Sequence, residues 1–506
     1  MAPSDPTAPA AAGFTIDRLW RRGLDRYPST GSRYWYLAVA VFVTIILYYE
    51  LYVAGGVAPL VLEHFKMSFI YYVNILVLAN LVGAFGSLAA GLADRWGRAN
   101  LVAYGLLVTG VLALITPLAP NKFVFGLFAV IGGVVEGMCL VATPALVRDF
   151  SPQIGRASAM GFWTLGPVVG SLVVSFVANR TLPHLDNSWS SQFYIVGVVG
   201  LVAFVIALFG LRELKPGLRD QVMVSAGDRE LIEARADSAE RTVDLDRPWG
   251  QMLRLDILAP ALGISIFLLI YYTAVGFFTV YLTSNFGFTT SKANGINTWY
   301  WAINAISLVV VGALSDRLRV RKPFMVAGTV LAVVMTFIFM TRTTHPDTSS
   351  TTLIVIIALL SLGLATAYAP WMAAFTETIE RRNPALTATG LAIWGWILRI
   401  VVCLAFFVLP YVVSAVDKLV EAPAVLAQVK AAGANPPPAL LAEVGKIKSA
   451  AADAPHQWQA WWWVCIVAEI LFLGLMLPLV GRWSPKAAKA DAEAHEREVA
   501  RLTGAS

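Results

Sequence analysis

The sequence predicts an all-α membrane protein whose twelve transmembrane helices form two pseudo-symmetric six-helix bundles. Three observations lead there. Of 506 residues, 58% are hydrophobic and 14% charged, with a mean hydropathy of +0.67, too apolar for a soluble chain of this size. About twelve apolar stretches reach the roughly 20 residues that cross a hydrocarbon core of about 30 Å. The second half of the chain also repeats motifs of the first in the same order.

The apolar stretches lie at about 34–58, 69–90, 100–119, 123–147, 158–178, 191–211, 257–283, 294–314, 323–341, 352–375, 386–413 and 459–481. The first follows a basic segment but is too long for a signal peptide and lacks a small-residue cleavage site, so it is expected to remain as span 1. The implied organisation is an N-terminal segment at 1–33, a bundle at 34–212, a linker at 213–256, a second bundle at 257–482 and a tail at 483–506. The charged linker suits a polar connection with one surface helix. An insertion at 414–456, broken by Pro436 to Pro438, reads as a helical hairpin outside the membrane between spans 11 and 12.

Lys and Arg cluster on alternate loops. Arg18, Arg21, Arg22, Arg26 and Arg33 precede span 1, Arg95 and Arg98 follow span 2, and Arg317, Arg319, Arg321 and Lys322 follow span 8. By the positive-inside rule both termini are expected in the cytoplasm, with the body in the plasma (inner) membrane. This topology accounts for the net charge of +6, so no nucleic-acid partner is required. Cys139, Cys403 and Cys465 fall inside spans without metal-ligand spacing, and the histidines fall in loops or tails. No metal, cofactor or enzymatic motif is expected, neither a phosphate cradle nor a nucleophile elbow.

The repeat is visible in four places. Tyr48 and Tyr49 in span 1 correspond to Tyr271 and Tyr272 in span 7; AGLADRWGR after span 2 corresponds to GALSDRLRVRK after span 8. Gly137 and Pro144 in span 4 match Gly363 and Pro370 in span 10, and Gly161 and Gly166 in span 5 match Gly390 and Gly395 in span 11. Tandem halves of this kind hold a solute site near the bilayer midplane and work by alternating access.

These loop motifs resemble the major facilitator superfamily, whose members carry G-x-L-a-D-R-x-G-R-[RK] between spans 2 and 3 and a weaker copy between spans 8 and 9. Here Ala90 stands at the first glycine, and Arg319 replaces a glycine of the second copy. RDFSPQIGRASAMG after span 4, with Asp149, Pro152, Arg156 and Gly161, is similar to a motif of the metabolite:proton symporter and sugar porter groups. Span 1, with Glu50, looks like the aromatic-acid:proton symporter pattern, and GFWTLGPVVGS in span 5 partly resembles the antiporter signature. Gly133 occupies the position where relatives often carry a span 4 arginine. The resemblance implies that spans 1, 4, 7 and 10 line a central cavity, with 2, 5, 8 and 11 completing its walls.

Three charges stand at predicted span centres, where each costs about 2.5–3.5 kcal/mol on insertion scales. They are Glu50, Glu136 and Arg399, and their counterparts in the other half are Thr273, Leu362 and Gly170. A charge needed only by the shared scaffold should occur in both halves, so this asymmetry points to function. Glu50 or Glu136 is the expected proton carrier, exposed to water in one conformation and to a dry or Arg-occupied site in another. Arg399 is the expected anchor for a substrate carboxylate or sulfonate; a permanent Glu–Arg ion pair is the alternative. Tyr48, Tyr49, Tyr52, Tyr271, Tyr272, Trp163 and Trp394 are the expected substrate-binding rings, with ordinary helix packing as the alternative for each. Trp461, Trp462 and Trp463 read as an interfacial belt, and Glu469 as a structural or partner-facing acid.

The resemblance also implies a cytoplasmic charge latch, made here by Asp94, Arg95, Arg98, Asp149, Arg156, Asp316, Arg317, Glu377 and Glu380. The expected function is proton-coupled movement of a small organic solute, an anion by the presence of Arg399, by a protein acting as a monomer in the lipid bilayer. A proton-driven drug or metabolite exporter and a non-transporting sensor or partner-binding membrane protein are the alternatives.

Overall fold

The computed structural model describes residues 20, 22–24, 26–88, 97–150, 156–215, 248–382, 387–433 and 436–480, and scattered tail residues between 483 and 497. The first half contains α1 (Thr30–Gly56), the short α2 (Ala58–His64), α3 (Phe69–Leu88), α4 (Arg98–Ile115), α5 (Lys122–Phe150), α6 (Arg156–Thr181) and α7 (Trp189–Gly210). A five-residue α8 (Pro248–Met252) leads into α9 (Leu255–Phe267), α10 (Leu269–Phe286), α11 (Thr290–Leu318), α12 (Lys322–Arg342) and α13 (Ser350–Arg382). The chain continues with α14 (Thr387–Val412), α15 (Val416–Ala432) and α16 (Pro438–Leu475).

Every expected span has its helix, since each apolar run is long enough to satisfy its own backbone within hydrocarbon. Span 7 is divided into α9 and α10 at Leu268. The insertion forms two helical arms, and the second continues without a break. It runs into span 12 as the single 38-residue α16, with Pro455 inside it. The surface helix expected in the linker falls in 216–247, outside the described residues.

Within the first half α3 packs on α5, α4 on α7, and α1 on α6 and α7; in the second, α13 packs on α11 and α12, and α16 on α9 and α12. The halves meet where α6 packs on α11, α3 on α14 and α1 on α10. Polar bonds between halves gather at the side opposite the N-terminus: Asn294 donates to the Gly56 carbonyl at 2.7 Å and Ser291 to the Asn179 carbonyl at 2.9 Å. One hydrophobic cluster crosses both halves on this far side, joining Val57, Val61 and Phe69 to Phe277, Phe278 and Tyr281.

On the N-terminal side, Gly23–Leu24 (β1) pairs in parallel with Glu213–Leu214 (β2), an element that no sequence pattern announced. Glu213 also accepts the Arg98 N–H at 2.7 Å, capping α4, and Arg22 donates to the Ala207 carbonyl at 3.0 Å. Gly97 of the loop motif makes this possible: its φ is +88°, and a Cβ there would lie 2.3 Å from Glu213 Oε1. In the second copy of the motif, Arg319 takes the left-handed conformation with φ 54°, closing α11 at the position where the motif's glycine would stand.

The three adjacent tryptophans divide. Trp461 and Trp462 are buried in the second half and only Trp463 is exposed, which corrects the expectation of a belt. Consecutive residues on a helix point about 100° apart, so one face cannot hold all three.

Candidate functional site

Between the halves lies a cavity of about 80 Å³ with an aromatic wall. α1 contributes Tyr48 and Tyr52, α6 Trp163, α10 Tyr271 and Tyr272, and α14 Trp394, while Thr164, Asn304 and Tyr368 add polar edges. Tyr48 and Tyr52 lie one helical turn apart with ring centres separated by 5.4 Å, and Tyr271 meets Tyr272 edge-on at 5.2 Å. Tyr49 is the exception among the expected rings. It is turned into the packed interior, and its hydroxyl has no partner among the described residues.

A second cavity, of about 150 Å³, shares Thr164, Leu308 and Tyr368 with the first and extends along α11 and α13 to Ser315, Asp316 and Arg321. Together they lead from the centre towards the N-terminal side. On the far side the Asn294 and Ser291 bonds tie the two halves together.

The acids lie elsewhere. A third cavity, of about 190 Å³, is lined by both Glu50 and Glu136, with Tyr52, Tyr72, Asn80, Thr109 and Thr116 as its other polar residues from the first half and Tyr272 and Phe406 from the second. Glu50 is only 7% exposed. Thr109 of α4 donates to its Oε2 at 2.5 Å, whereas Oε1 has no hydrogen-bond partner among the described residues. Room for this carboxyl comes from glycines: a Cβ on Gly200 of α7 would lie 1.7 Å from Oε1, and one on Gly110 of α4 would lie 3.2 Å away. Sequence reasoning found Glu50 by its charge in an apolar run but missed Thr109, Gly110 and Gly200, because nothing in an isolated chain pairs residues so far apart.

Glu136 makes no hydrogen bond or ion pair within 4 Å among the described residues and is partly open to the third cavity. It lies in electrostatic range of Arg399, Tyr48, Tyr52 and Tyr272. Arg399 lines none of these three cavities; it projects from α14 onto α3, with Nη1 3.5 Å from the Asn80 carbonyl. Glu469 is fully buried in the second half, where Thr336 donates to its Oε1 at 2.9 Å. Trp461 donates to Thr273, the counterpart of Glu50, at 3.1 Å.

Of the residues expected at the cytoplasmic gate, Asp94 and Arg95 lie outside the described residues, as do the side chains of Arg156 and Glu380. Arg98 Nη1 approaches buried Asp149 at 3.7 Å. Arg321, named in the sequence only as part of a basic loop, bridges Asp316 at 2.6 Å and Glu377 at 3.0 Å. The carboxylates beside it hold its guanidinium above the usual pKa of arginine, against the opposing effect of burial. Arg317 is exposed and makes no ion pair among the described residues.

The major facilitator superfamily profile matches residues 40–405. This chain belongs to the major facilitator superfamily. It is a multi-pass membrane transporter and not an enzyme. Among curated proteins, the gallate transporter of Pseudomonas putida is 22% identical over 309 residues, covering 58% of this chain and 68% of that one. A solved bacterial homologue of the human lysosomal transporter Spinster, inward-facing and occupied, superposes with a TM-score of 0.62 at 17% identity, covering 90% of this chain and 100% of that one. The D-xylose–proton symporter gives a TM-score of 0.59 at 15% identity, covering 88% of this chain and 98% of that chain.

Proposed function

We propose that this transporter carries a small organic anion with protons, and we read the N-terminal side, towards which its aromatic cavity and the adjoining one lead, as the cytoplasmic face. The observation that carries the reading is the pair of cavities: an aromatic one between the halves, and beside it one holding two carboxylates that the pseudo-symmetric half lacks. The rings of Tyr48, Tyr52, Tyr271, Tyr272, Trp163 and Trp394 supply flat apolar faces for a planar solute. Glu136, without an ion pair within 4 Å among the described residues, is the favoured proton carrier, and Glu50 is a second acid on the same cavity wall. Arg399 supplies the positive potential that draws an anion towards this region. The gallate transporter's name supports an aromatic acid as the solute to try first.

The test is uptake into proteoliposomes with an imposed pH gradient, offering gallate, aliphatic acids and cationic drugs in parallel. Accumulation of an acid driven by inward proton flow, lost in Glu136→Gln, supports the reading. Accumulation of a cation driven by outward-directed exchange supports the exporter instead. Unchanged pH-driven transport in both Glu50→Gln and Glu136→Gln eliminates the carboxylates as carriers.

A further inference from the structure

The aromatic and acidic cavities are separate spaces, and Tyr52 and Tyr272 line both of them. One comes from α1 of the first half and the other from α10 of the second, so the wall between the cavities is made jointly by the two moving bodies. Neither hydroxyl has a hydrogen-bond partner among the described residues, and both phenols lie in electrostatic range of Glu136. The acidic cavity, at about 190 Å³, has room for about six waters at about 30 Å³ each to complete a link.

We infer that Tyr52 and Tyr272 form the partition through which an anion in the aromatic cavity governs proton uptake by Glu136. This rests on the proton-coupled reading above and assigns that coupling to particular groups. A phenol has one O–H to donate and oxygen lone pairs to accept. With the aromatic cavity empty, the phenol protons turn towards Glu136, directly or through water, and favour its carboxylate. An anion on the other side draws those protons to itself. The phenol oxygens then present lone pairs to the acidic cavity, where they accept from a protonated Glu136. The proton gained comes from hydronium in the water of the acidic cavity and ends on a Glu136 oxygen, and the phenols only reorient. Anion and proton therefore favour each other's binding, as co-transport requires.

The ionisable groups around Glu136 are few. Arg399 faces it from α14, Tyr48 and Tyr52 from α1, Tyr272 from α10, and Cys139 lies on its own helix; Glu50 and Tyr72 line the same cavity. From α3, α4 and the turn that follows α4, the other polar lining residues are Asn80, Thr109 and Thr116, none of them ionisable.

The experiment needs no known substrate. Tryptophan emission of the purified full chain is titrated with pH, since Trp163 and Trp394 stand in the aromatic wall beside the two phenols. The wild type should show an acid transition that Glu136→Gln abolishes. In the double variant Tyr52→Phe/Tyr272→Phe, which keeps both rings, its midpoint should move by about one unit towards alkaline pH, about tenfold in proton affinity. Tyr49→Phe, which removes a hydroxyl that lines neither cavity, should leave the midpoint in place and controls for general disturbance. An unmoved midpoint in the double variant, with the Glu136-dependent transition intact, overturns the partition and leaves the proton reading standing. Absence of any transition that depends on Glu136 overturns both.

Discussion

The Asp417 carboxylate accepts the backbone N–H of Phe69, fastening the inserted hairpin of the second half to the first turn of α3 in the first half. The hairpin is tied to its own half: the Ala415 N–H donates to Gln457 of α16 at 2.8 Å, and Lys418 bridges Glu421 on the same arm and Glu443 on the other. A helix N-terminus carries partial positive charge and unpaired N–H groups, so a carboxylate there acts as a cap from outside the helix. We expect opening of the far side to break this cap.

Burial pushes the Asp417 carboxyl above the ordinary aspartate range, outweighing the backbone N–H groups and Lys418 that favour its charged form. Released into water, the group would return to the ordinary value. The fastened state therefore binds the proton more tightly, so its contribution is fully present below the ordinary value and is lost as pH rises through the raised one. Distances between spin labels at Glu63→Cys and Lys430→Cys should report a far-side-closed fraction that grows on acidification. Asp417→Asn should hold that fraction at its acidic level at every pH. Asp417→Ala should lower it about fivefold, the equivalent of about 1 kcal/mol for a lost cap.

Gly200→Ala tests the seat of Glu50. The new Cβ would meet a carboxylate oxygen at 1.7 Å in a packed interface between α1, α4 and α7. We expect a loss of about 1–3 kcal/mol, the usual cost of overpacking, seen as a lower melting temperature in detergent. Adding Glu50→Ala should restore most of the loss, because the two changes share one space and cannot be additive. Additive losses would show that Glu50 does not occupy the α4–α7 niche.

Glu469 provides a contrast. It is as buried as Glu50 and also takes a threonine hydroxyl, but it lines none of the cavities described above. Glu469→Gln keeps an acceptor for Thr336 and should leave pH-driven uptake within about twofold. Thr336→Val should cost about 1–3 kcal/mol through the unsatisfied acid. Strong loss of coupling in Glu469→Gln, with stability intact, would move the proton path into the second half.

What the sequence disclosed follows from what a linear pattern can encode. Hydropathy and the repeated loop motifs marked the spans, because membrane crossing and tandem duplication leave local signals. Most of the aromatic wall was also legible, since Tyr48 with Tyr271 and Trp163 with Trp394 recur on corresponding spans. Three features were not. The niche for Glu50 depends on glycines in α4 and α7, whose role appears only when three helices converge. The separation of acids and rings into two cavities depends on which way Glu136 and Tyr52 point, a matter of helix rotation that weakly amphipathic spans leave undetermined. The pairing of β1 with β2 joins segments nearly two hundred residues apart and has no pattern of its own.

The Arg321 bridge offers the last test, because the repeated loop motif draws attention to a different arginine. Arg317 sits in the repeated Asp-Arg motif but is exposed and forms no ion pair among the described residues. Arg321 sits four residues on, past the left-handed turn at Arg319. That turn folds the chain back, so that Arg321 reaches Asp316, Glu377 and the Ser315 hydroxyl together. Its guanidinium is largely enclosed while both acids are about one-third exposed, so each bond should be weaker than a fully buried pair. Arg321→Gln should lower stability by about 1–3 kcal/mol through the loss of charge-assisted bonds. It should also shift the distance distribution between labels on the N-terminal ends of the two halves. Arg317→Gln should do neither, within about 0.5 kcal/mol for an exposed substitution. Equal effects from the two variants would mean that surface charge, and not the Arg321 bridge, sets the position of this end of α11 relative to α13.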